Sequence, residues 1–474
     1  MSKPQKSDGL DLVTPLVEII HEVMKISFSA GWALLKYLWS KLIKADPELK
    51  KIERKHLKSK KQTKSELALG HATNLKRALN LSEIDFGKHN FIVGAAGFGK
   101  TNLISILQEY SLQRGLPVIF FDPKGDLEAL LTFKSLCEQY GRECFIFSEH
   151  YSDVIKLNPV KEGSINQVVD RIMRAFDWSE QFYKDIAQIT LRDILVSLQK
   201  KHITFSLSNI LIELQENYKS DKTLGLETKL ESLVESDFGK LLIDDAETLT
   251  FSAIRKKKAC LYIGLSTQGY GETAMALGKI FLGELLYNSY WQLTKSANSH
   301  ESMKNAISVF FDEFGALVTP RFIELQNKCR GAGIQLYMAV QSASDIDRVD
   351  PKLTEQIIEN ASNLFILKQR LDQSASLFSN AIGTIITKKY THTMEDGERQ
   401  SKGTEREVNE NLVHPDIIKN LRVGQCILLQ HNPTKIDLLN IRNRKIDIQR
   451  LPVIKNNDHT AIQKPKPDNT VMEV

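Results

Sequence analysis

A glycine-rich segment early in the chain has the residue types and the spacing of a phosphate-binding loop. Residues 94 to 101 read GAAGFGKT, which matches the pattern G-x-x-x-x-G-K-[ST]. The apolar run 91–93 precedes this segment, and we expect a helix to begin at Thr101. Phosphate binding requires a strand before such a loop and a helix after it. The alternative is a glycine turn that binds nothing, and the flanking pattern disfavours it.

This loop predicts Mg²⁺-dependent binding of ATP. Glycine lets the backbone wrap a phosphate without a Cβ clash, so the amides at the start of the helix point at the β-phosphate. We expect Lys100 to bridge β- and γ-phosphate oxygens and the Thr101 hydroxyl to bind Mg²⁺. The residues predicted to contact the nucleotide are Gly94, Gly97, Phe98, Gly99, Lys100, Thr101 and Asn102.

A pair of acids after another apolar run is the candidate for the hydrolytic half of the site. Residues 308–311 read SVFF and are followed by Asp312 and Glu313. At a strand end, Asp312 is predicted to bind Mg²⁺, and Glu313 to polarise the attacking water. Such runs are common by chance, so this prediction depends on the phosphate-binding loop. The glutamate argues against a nucleotide switch, because switches commonly lack a water-activating acid here.

Two later polar residues are further catalytic candidates. Gln341 follows the apolar run 336–340, which predicts a position at the carboxyl end of a strand, where ligands bind in open α/β sheets. A neutral amide there can sense the γ-phosphate; the alternative is a surface glutamine. Arg330 could enter a neighbouring subunit's site and stabilise the charge of the transition state. Its alternative is a surface salt bridge.

The order of apolar runs predicts the elements that position these residues. From residue 65, strand-like and helix-like runs alternate, which indicates an α/β fold with a mostly parallel central sheet covered on both faces. Residues 161–250 instead have helical periodicity, and we interpret them as an inserted all-α domain. Later strand-like runs lie at 260–265, 308–311, 335–340 and 426–429, and residues 387–404 resemble a hairpin. The predicted nucleotide-binding domain therefore comprises residues 65–160 and 251–455.

The two ends of the chain differ from this body. Residues 1–64 contain 14 Lys and Arg against 7 Asp and Glu, whereas the remainder contains 49 against 51. A predicted helix at 12–43 with a narrow polar stripe precedes the polybasic segment 50–64, and its longest uncharged run is too short to cross a bilayer. This pattern suits an anionic membrane surface, with packing on a partner or on the main domain as the alternative. The tail 456–474 is predicted to be disordered.

Charge and cysteine usage limit the partners and the compartment. The body has no broad positive field, so a nucleic acid would be bound by local patches or pore loops. Residues 255–258 read RKKK and could contact phosphates; the alternative is a solvated charge run at a strand edge. The five cysteines form no C-x-x-C pair, which is typical of reduced thiols in a cytosolic protein. The amino terminus lacks the pattern of a signal peptide.

Five short motifs occur in a consistent order along the chain. They are FDPKGDL at 121–127, LNPV at 157–160, DEFGAL at 312–317, RGAGI at 330–334 with QS at 341–342, and NA at 360–361 with Arg370-x-Asp372. These motifs resemble those of the type IV coupling protein family, which belongs to the FtsK/HerA class of ring translocases. The resemblance covers about residues 85 to 450.

This resemblance implies a RecA-like P-loop NTPase that forms a homohexamer, with ATP between subunits and a central channel for DNA. It also implies that the all-α domain meets the relaxosome. By motif position, the predicted nucleotide roles of the P-loop, the acid pair and Gln341 are retained, and Arg330 matches the arginine finger. Asp122 and Lys124 match a family motif whose chemical role the sequence does not reveal.

The leading functional hypothesis is an ATP-driven DNA translocase that links a relaxase–DNA complex to a type IV secretion channel, in the cytoplasm at the inner face of the bacterial cytoplasmic membrane. Its closest rival is a related hexameric motor, either a HerA-like DNA-processing translocase or a secretion-system assembly ATPase. A third hypothesis is a non-catalytic docking platform. The amino-terminal region departs from the family, because most coupling proteins have two membrane-spanning helices there. Peripheral attachment and a separate membrane partner therefore both stay open.

Overall fold

Strands and helices alternate along the part of the chain that the computed structural model describes, residues 67–74, 77–295, 306–320, 322–395 and 398–444. The helix predicted at 12–43, the basic segment 50–64 and the tail 456–474 lie outside these residues. In the described ranges, no helix combines the length and the hydropathy needed to cross a membrane.

The strands fall into one large sheet and one hairpin. Their bounds are β1 Ala68–Ala72, β2 Arg77–Asn80, β3 His89–Val93, β4 Val118–Asp122, β5 Cys144–Phe147, β6 Cys260–Gly264, β7 Ile307–Phe311, β8 Ile334–Val340, β9 Ala361–Ile366, β10 Thr384–Glu395, β11 Glu398–Asn411, β12 Gln425–His431 and β13 Thr434–Ile441. Within the described residues, the large sheet has 11 strands in the order β2-β1-β13-β12-β9-β3-β8-β7-β4-β6-β5.

The helices connect these strands and cover the sheet. Their bounds are α1 Lys100–Gln113, α2 Leu127–Gln139, α3 Ile165–Met173, α4 Gln181–Lys200, α5 Leu207–Glu213, α6 Leu224–Val234, α7 Phe251–Lys257, α8 Thr267–Lys295, α9 Phe322–Cys329, α10 Ser344–Asp347, α11 Leu353–Asn360, α12 Asp372–Ile382 and α13 Pro415–Lys419. Helix α8 has a kink at Gly271, where φ is 47°.

The central strands are apolar on both faces because both faces are covered. In β4, Ile119 and Phe121 belong to one buried core, while Val118 and Phe120 belong to the other. Such two-sided burial is typical of parallel sheets. Pairing is parallel from β9 across to β5 and antiparallel from β9 to β2. The predicted α/β class and mostly parallel sheet are therefore confirmed.

The antiparallel edge of the sheet was not predicted. The sequence indicated a closing strand at 426–429, and β12 does form there. It pairs with β9 on one side and with β13 on the other, and β1 and β2 lie beyond β13. This strand is therefore inside the sheet and does not close it. The sequence did not predict this position, because a short apolar run reveals the burial of a strand but not its neighbours.

Residues 161–250 are helical in the structure, and the chain enters and leaves this segment at one place. Leu157 pairs with Leu249 in an isolated bridge, and the Asn158 amide donates to the Leu249 carbonyl at 3.1 Å. Helices α3 to α6 share the core on one face of the sheet with α7 and α8. Whether the segment is an independent domain with these boundaries stays a prediction.

Strands β10 and β11 form a separate two-stranded antiparallel sheet. The sequence predicted a hairpin over 387–404, and the paired strands extend further, from Thr384 to Asn411. A polar alternating pattern marks the hairpin but not its ends, because exposed strand ends and loops have similar composition.

Candidate nucleotide-binding site

The glycine-rich loop follows β3 and is held by backbone hydrogen bonds to its neighbours. The Gly94 amide donates to the Val340 carbonyl at 3.1 Å, and the Ala95 amide donates to the Lys368 carbonyl at 2.9 Å. Gly97 and Gly99 have φ values of 82° and 100°, in the left-handed region that favours glycine. A Cβ atom on Gly97 would meet nothing within 4 Å, so the space beside the loop at this residue is open.

Helix α1 begins at Lys100, one residue before the predicted start. The first amides of a helix have no acceptor within it and attract anions. The Lys100 ammonium is buried and donates to the Gly94 carbonyl at 2.6 Å, so it already lies inside the loop. Burial lowers the pKa of Lys100, and the Asp312 carboxylate nearby opposes this change. Thr101 is exposed on the first turn, where its hydroxyl is accessible to a metal ion.

The two acids lie at the end of β7, one strand removed from β3. Asp312 is buried, and its Oδ1 accepts a hydrogen bond from the Glu313 amide at 3.0 Å. Burial raises the pKa of Asp312, and the Lys124 and Lys100 ammonium groups oppose this rise. Glu313 has a φ of 45°, and a left-handed backbone in a residue other than glycine marks local strain.

Gln341 lies between the phosphate-binding loop and the acids. It follows β8, which is the strand between β3 and β7. Its Nε2 donates to Oε1 of Glu313 at 2.6 Å. The structure thus brings together four of the predicted residues, Lys100, Asp312, Glu313 and Gln341, at the carboxyl edge of the sheet, where open α/β sheets bind ligands.

Lys124 is part of this site although the sequence assigned it no role. Its Nζ lies 2.8 Å from Oε1 of Glu313. Burial alone would lower the pKa of Lys124, but the bond to Glu313 and the nearby Asp312 carboxylate raise it overall. The signal available in the sequence was a lysine two residues after strand β4, since β4 and β7 are neighbours in the sheet.

Asp122 organises the loop that contains Lys124. Its carboxylate accepts hydrogen bonds from the Lys124 amide at 3.0 Å, the Asp126 amide at 2.9 Å and the Tyr262 hydroxyl at 2.7 Å. Burial raises the pKa of Asp122, and the Tyr262 hydroxyl opposes the change. With its oxygens engaged in this way, Asp122 positions Lys124 rather than binding a nucleotide directly.

Arg330 lies away from the other candidate residues. It is exposed and precedes β8, whereas Gln341 follows the same strand. At a rise of about 3.3 Å per residue, the two ends of β8 are roughly 20 Å apart. Within one chain, Arg330 is therefore at the opposite edge of the sheet from the nucleotide-binding loop.

The remaining loop residues have contacts of their own. Two cations flank the Phe98 ring, with Lys368 Nζ at 5.2 Å and Arg370 Cζ at 6.0 Å from its centre. The side chain of Asn102 donates to the Arg442 carbonyl at 2.9 Å and accepts from the Arg444 amide at 3.1 Å. Binding of a nucleotide by Asn102 would require these bonds to be exchanged, so its predicted role is not supported by the geometry.

The interpretation of residues 255–258 as a strand-edge or channel charge run was wrong for Arg255. This residue lies in helix α7 and is buried, and its guanidinium donates to Asn288 Oδ1 at 3.1 Å and to the Ala332 carbonyl at 2.5 Å. Burial lowers its pKa to about 10. The residues Lys256, Lys257 and Lys258 are exposed. Consecutive residues on a helix point in different directions, which the sequence interpretation did not consider.

The residues present fit Mg²⁺ as a partner of a bound triphosphate. In the described ranges, no group of three His, Cys, Asp or Glu residues could hold a metal ion. Mg²⁺ commonly takes one or two protein oxygens together with phosphate oxygens and waters. Thr101 at the helix start and Asp312 at the strand end provide such a pair of oxygens.

Two protein families have models that match parts of the chain. The model of the family described as "Helicase HerA, central domain" matches residues 67–268, and that described as "TraM recognition site of TraD and TraG" matches residues 306–423. No protein of curated function matches the sequence.

Solved structures give the fold. Unbound TrwBdeltaN70, a bacterial conjugative coupling protein, has a TM-score of 0.61 and 16% identity, over 82% of this chain and 91% of that one. This chain has the coupling-protein fold. The plasmid coupling protein TrwB in complex with ADP and Mg²⁺ has a TM-score of 0.60 and 15% identity, over 83% and 92% of the two chains. VirB4 of Thermoanaerobacter pseudethanolicus shares the fold with a TM-score of 0.52 and 13% identity, over 81% and 98%.

The shared fold confirms the predicted fold class, which is that of a RecA-like P-loop NTPase. The chain is a P-loop NTPase whose strand order places β8 between the loop-bearing strand β3 and the acid-bearing strand β7. The resemblance inferred from short motifs is confirmed by both family models and by the fold.

Proposed function

We propose that this protein is an ATP-hydrolysing DNA translocase that acts as a conjugative coupling protein. The observation that supports this proposal best is the cleft at the carboxyl edge of the sheet. There, the Asp312 and Glu313 carboxylates lie near the buried Lys100 ammonium group, and Gln341 contacts Glu313. The coupling-protein fold supports the choice among P-loop motors.

Each residue of the cleft has a distinct role in this proposal. The loop amides and Lys100 hold the β- and γ-phosphates of ATP. Thr101 and Asp312 hold Mg²⁺, which neutralises phosphate charge when it is bound. Glu313 accepts a proton from the attacking water, and Gln341 donates a hydrogen bond to the γ-phosphate. These roles need no rearrangement of the sheet, because the residues already meet at one edge.

We also propose that the active assembly is a ring, with a hexamer as the expected state. Arg330 is exposed at the edge of the sheet opposite its own nucleotide-binding loop. An arginine in that position can complete a site only on a neighbouring copy. A contact between unlike surfaces of identical chains closes into a ring when the rotation permits.

In the proposed role, the ring moves DNA from a relaxase complex towards a type IV secretion channel, at the inner face of the cytoplasmic membrane. The amino-terminal residues 12–64 are the proposed attachment to an anionic lipid surface or to a membrane partner. The helical segment 161–250 is the proposed surface for the relaxosome. Lys256, Lys257 and Lys258 are exposed candidates for phosphate contacts.

A second candidate function is that of a secretion-system assembly ATPase. The shared fold with VirB4, at a TM-score of 0.52, supports this alternative. The two functions differ in their relation to DNA, because only a DNA pump should hydrolyse ATP faster when DNA is bound.

Steady-state ATP turnover by the full chain, with and without single- and double-stranded DNA, tests the proposal. We expect Mg²⁺-dependent turnover that at least one form of DNA stimulates. Glu313→Gln removes the water-activating acid and should reduce turnover by about 100-fold or more. Lys100→Ala should abolish turnover and weaken ATP binding. Glu216→Gln makes the same chemical change at an exposed helical position and should have no effect.

Each other outcome favours a different function. Turnover without any response to DNA would favour the assembly ATPase. If the wild-type chain binds ATP but turns none over, with or without DNA, the docking platform is favoured and the translocase proposal fails.

A further inference from the structure

One oxygen of Glu313 is bound by two side chains at once. Lys124 Nζ lies 2.8 Å and Gln341 Nε2 2.6 Å from the same Oε1 atom. While both contacts last, the lone pairs of that oxygen are engaged by the ammonium group and the amide, and a proton from water cannot be accepted there. As it stands in this structure, Glu313 is therefore restrained from activating water.

The backbone of Lys124 is held in place near Glu313, whereas the end of its side chain is free to move. Its amide is fixed by the Asp122 carboxylate at 3.0 Å. The next residue, Gly125, has a φ of 65°, and a Cβ atom there would come within 2.4 Å of Ser266 Oγ, so the loop backbone is closely packed. The Lys124 side chain is nevertheless 42% exposed, which allows the ammonium group to change partner.

The site also contains a second cation close to Lys124. Lys100 and Lys124 both lie near the Asp312 and Glu313 carboxylates. The site therefore holds two ammonium groups and two carboxylates close together. When ATP binds to the loop, Lys100 would hold its γ-phosphate, and this group would add negative charge beside Lys124. Phosphate oxygens compete strongly with a carboxylate for a lysine ammonium group.

We propose that Lys124 is a γ-phosphate-responsive restraint on Glu313. It holds the carboxylate, together with Gln341, until the γ-phosphate of bound ATP draws both side chains away and leaves Glu313 free to accept a proton from water. This inference rests on the proposed function, because it assigns a regulator to the same site. It makes Lys124 a positioning residue in one state and a phosphate ligand in the other.

If Lys124 acts as this restraint, substitutions should change the affinity for ADPNP but not that for ADP. A salt bridge with a purely structural role would not lead to this difference. Binding a γ-phosphate must break the Lys124–Glu313 ion pair, whereas binding ADP leaves it intact. Glu313→Gln removes that cost, so it should tighten binding of the non-hydrolysable analogue ADPNP by about fivefold or more. Lys124→Met removes the phosphate ligand and should weaken ADPNP binding by about tenfold, with ADP binding unchanged.

The experiment is a double-mutant cycle on the full chain, with the Kd values of ADP and ADPNP measured for each variant in the presence of Mg²⁺. In Lys124→Met the additional change Glu313→Gln should no longer tighten ADPNP binding, because the ion pair is already absent. Lys124→Arg should restore most of the ADPNP affinity. Lys201→Met is the matched control: Lys201 is 45% exposed and ion-paired with Glu213 at 2.6 Å, and its loss should change neither Kd.

Equal changes in the Kd values of ADP and ADPNP for Lys124→Met would overturn the inference, as would additive effects of the two changes on ADPNP. Either result would leave the proposed function intact if DNA-stimulated turnover is observed. Conversely, selective loss of ADPNP affinity without any ATP turnover would support the restraint and contradict the translocase.

Discussion

Asp312 and Glu313 are neighbours in the chain, and yet their surroundings fit them for different chemistry. Asp312 is buried at the end of β7, with one oxygen bound by the following amide. Glu313 has a left-handed backbone, and its carboxylate contacts residues from two other strand ends. The buried acid suits a metal ion held in fixed geometry. The more exposed acid suits proton transfer, which needs access to water.

His89 gives a pH dependence that can be measured at the scale of one residue. Its ring is buried, with Nε2 2.6 Å from the Gln326 carbonyl and Nδ1 accepting from the Leu336 amide at 3.4 Å. Burial lowers its pKa from 6.5 to about 4. Below pH 6.5 the unfolded chain binds a proton that the folded chain excludes, so the free energy of unfolding falls as pH decreases towards 4.

His89→Gln should make this decline shallower. Between pH 7 and pH 4, the stability advantage of the wild type over the variant should shrink by about 3 kcal/mol, since a pKa difference of one unit corresponds to about 1.4 kcal/mol. Urea unfolding at several pH values measures this difference. His71→Gln, at an exposed strand position, is the control. Parallel pH curves for the wild type and His89→Gln would contradict the prediction.

The sequence predicted the residues of the cleft, but it did not predict all of the contacts between them. Lys100, Asp312, Glu313 and Gln341 each follow or begin a recognisable element, so local patterns were sufficient to place them. The role of Lys124 depends on β4 lying beside β7, which are almost 200 residues apart in the chain. Local periodicity contains no information about strand order.

At the scale of elements, Asn158 holds together the place where the chain enters the helical segment. Its amide nitrogen Nδ2 donates to the Phe205 carbonyl at 2.7 Å and to Asp244 Oδ1 at 3.1 Å, and its Oδ1 accepts from the Val160 amide at 3.1 Å. These bonds connect the residues that enter the segment with two later parts of it. The motif LNPV therefore has a structural role that the sequence did not reveal.

Asn158→Ala should reduce the free energy of unfolding by about 1 to 3 kcal/mol, because it leaves buried hydrogen-bonding groups without their partner. Urea unfolding of the full chain, followed by circular dichroism, measures the change. Asn327→Ala, at an exposed position on α9, is the matched control and should change stability by less than about 0.5 kcal/mol. A loss no larger than that of the control would show that the junction does not depend on Asn158.

The arrangement of cysteines also depends on element packing. Cys137 in α2 lies near Cys144 and Cys260, which are register partners on β5 and β6. These residues are scattered in the sequence and form no recognisable pair there. Their proximity results from a parallel pairing across the whole helical segment, and parallel pairings of this kind are the part of a fold that local sequence patterns specify least.

At the scale of the whole molecule, the sheet separates the residues of the proposed catalytic site. The phosphate-binding loop, the acids and Gln341 lie at its carboxyl edge, and Arg330 lies at its amino edge. If Arg330 stabilises the transition state, one chain cannot complete its own site. Hydrolysis would then depend on assembly, which couples the chemistry of each site to the state of its neighbour.

In the proposed function, ATP is hydrolysed in a cleft shared by two copies of the chain. The most direct test is ATP turnover in an equal mixture of two variants, Arg330→Ala and Glu313→Gln, each of which should be inactive alone. In mixed rings, about a quarter of the sites would combine an intact Glu313 with an intact Arg330 from the neighbour, so we predict recovery of about a quarter of wild-type turnover. Turnover no greater than that of the separate variants would contradict the shared cleft.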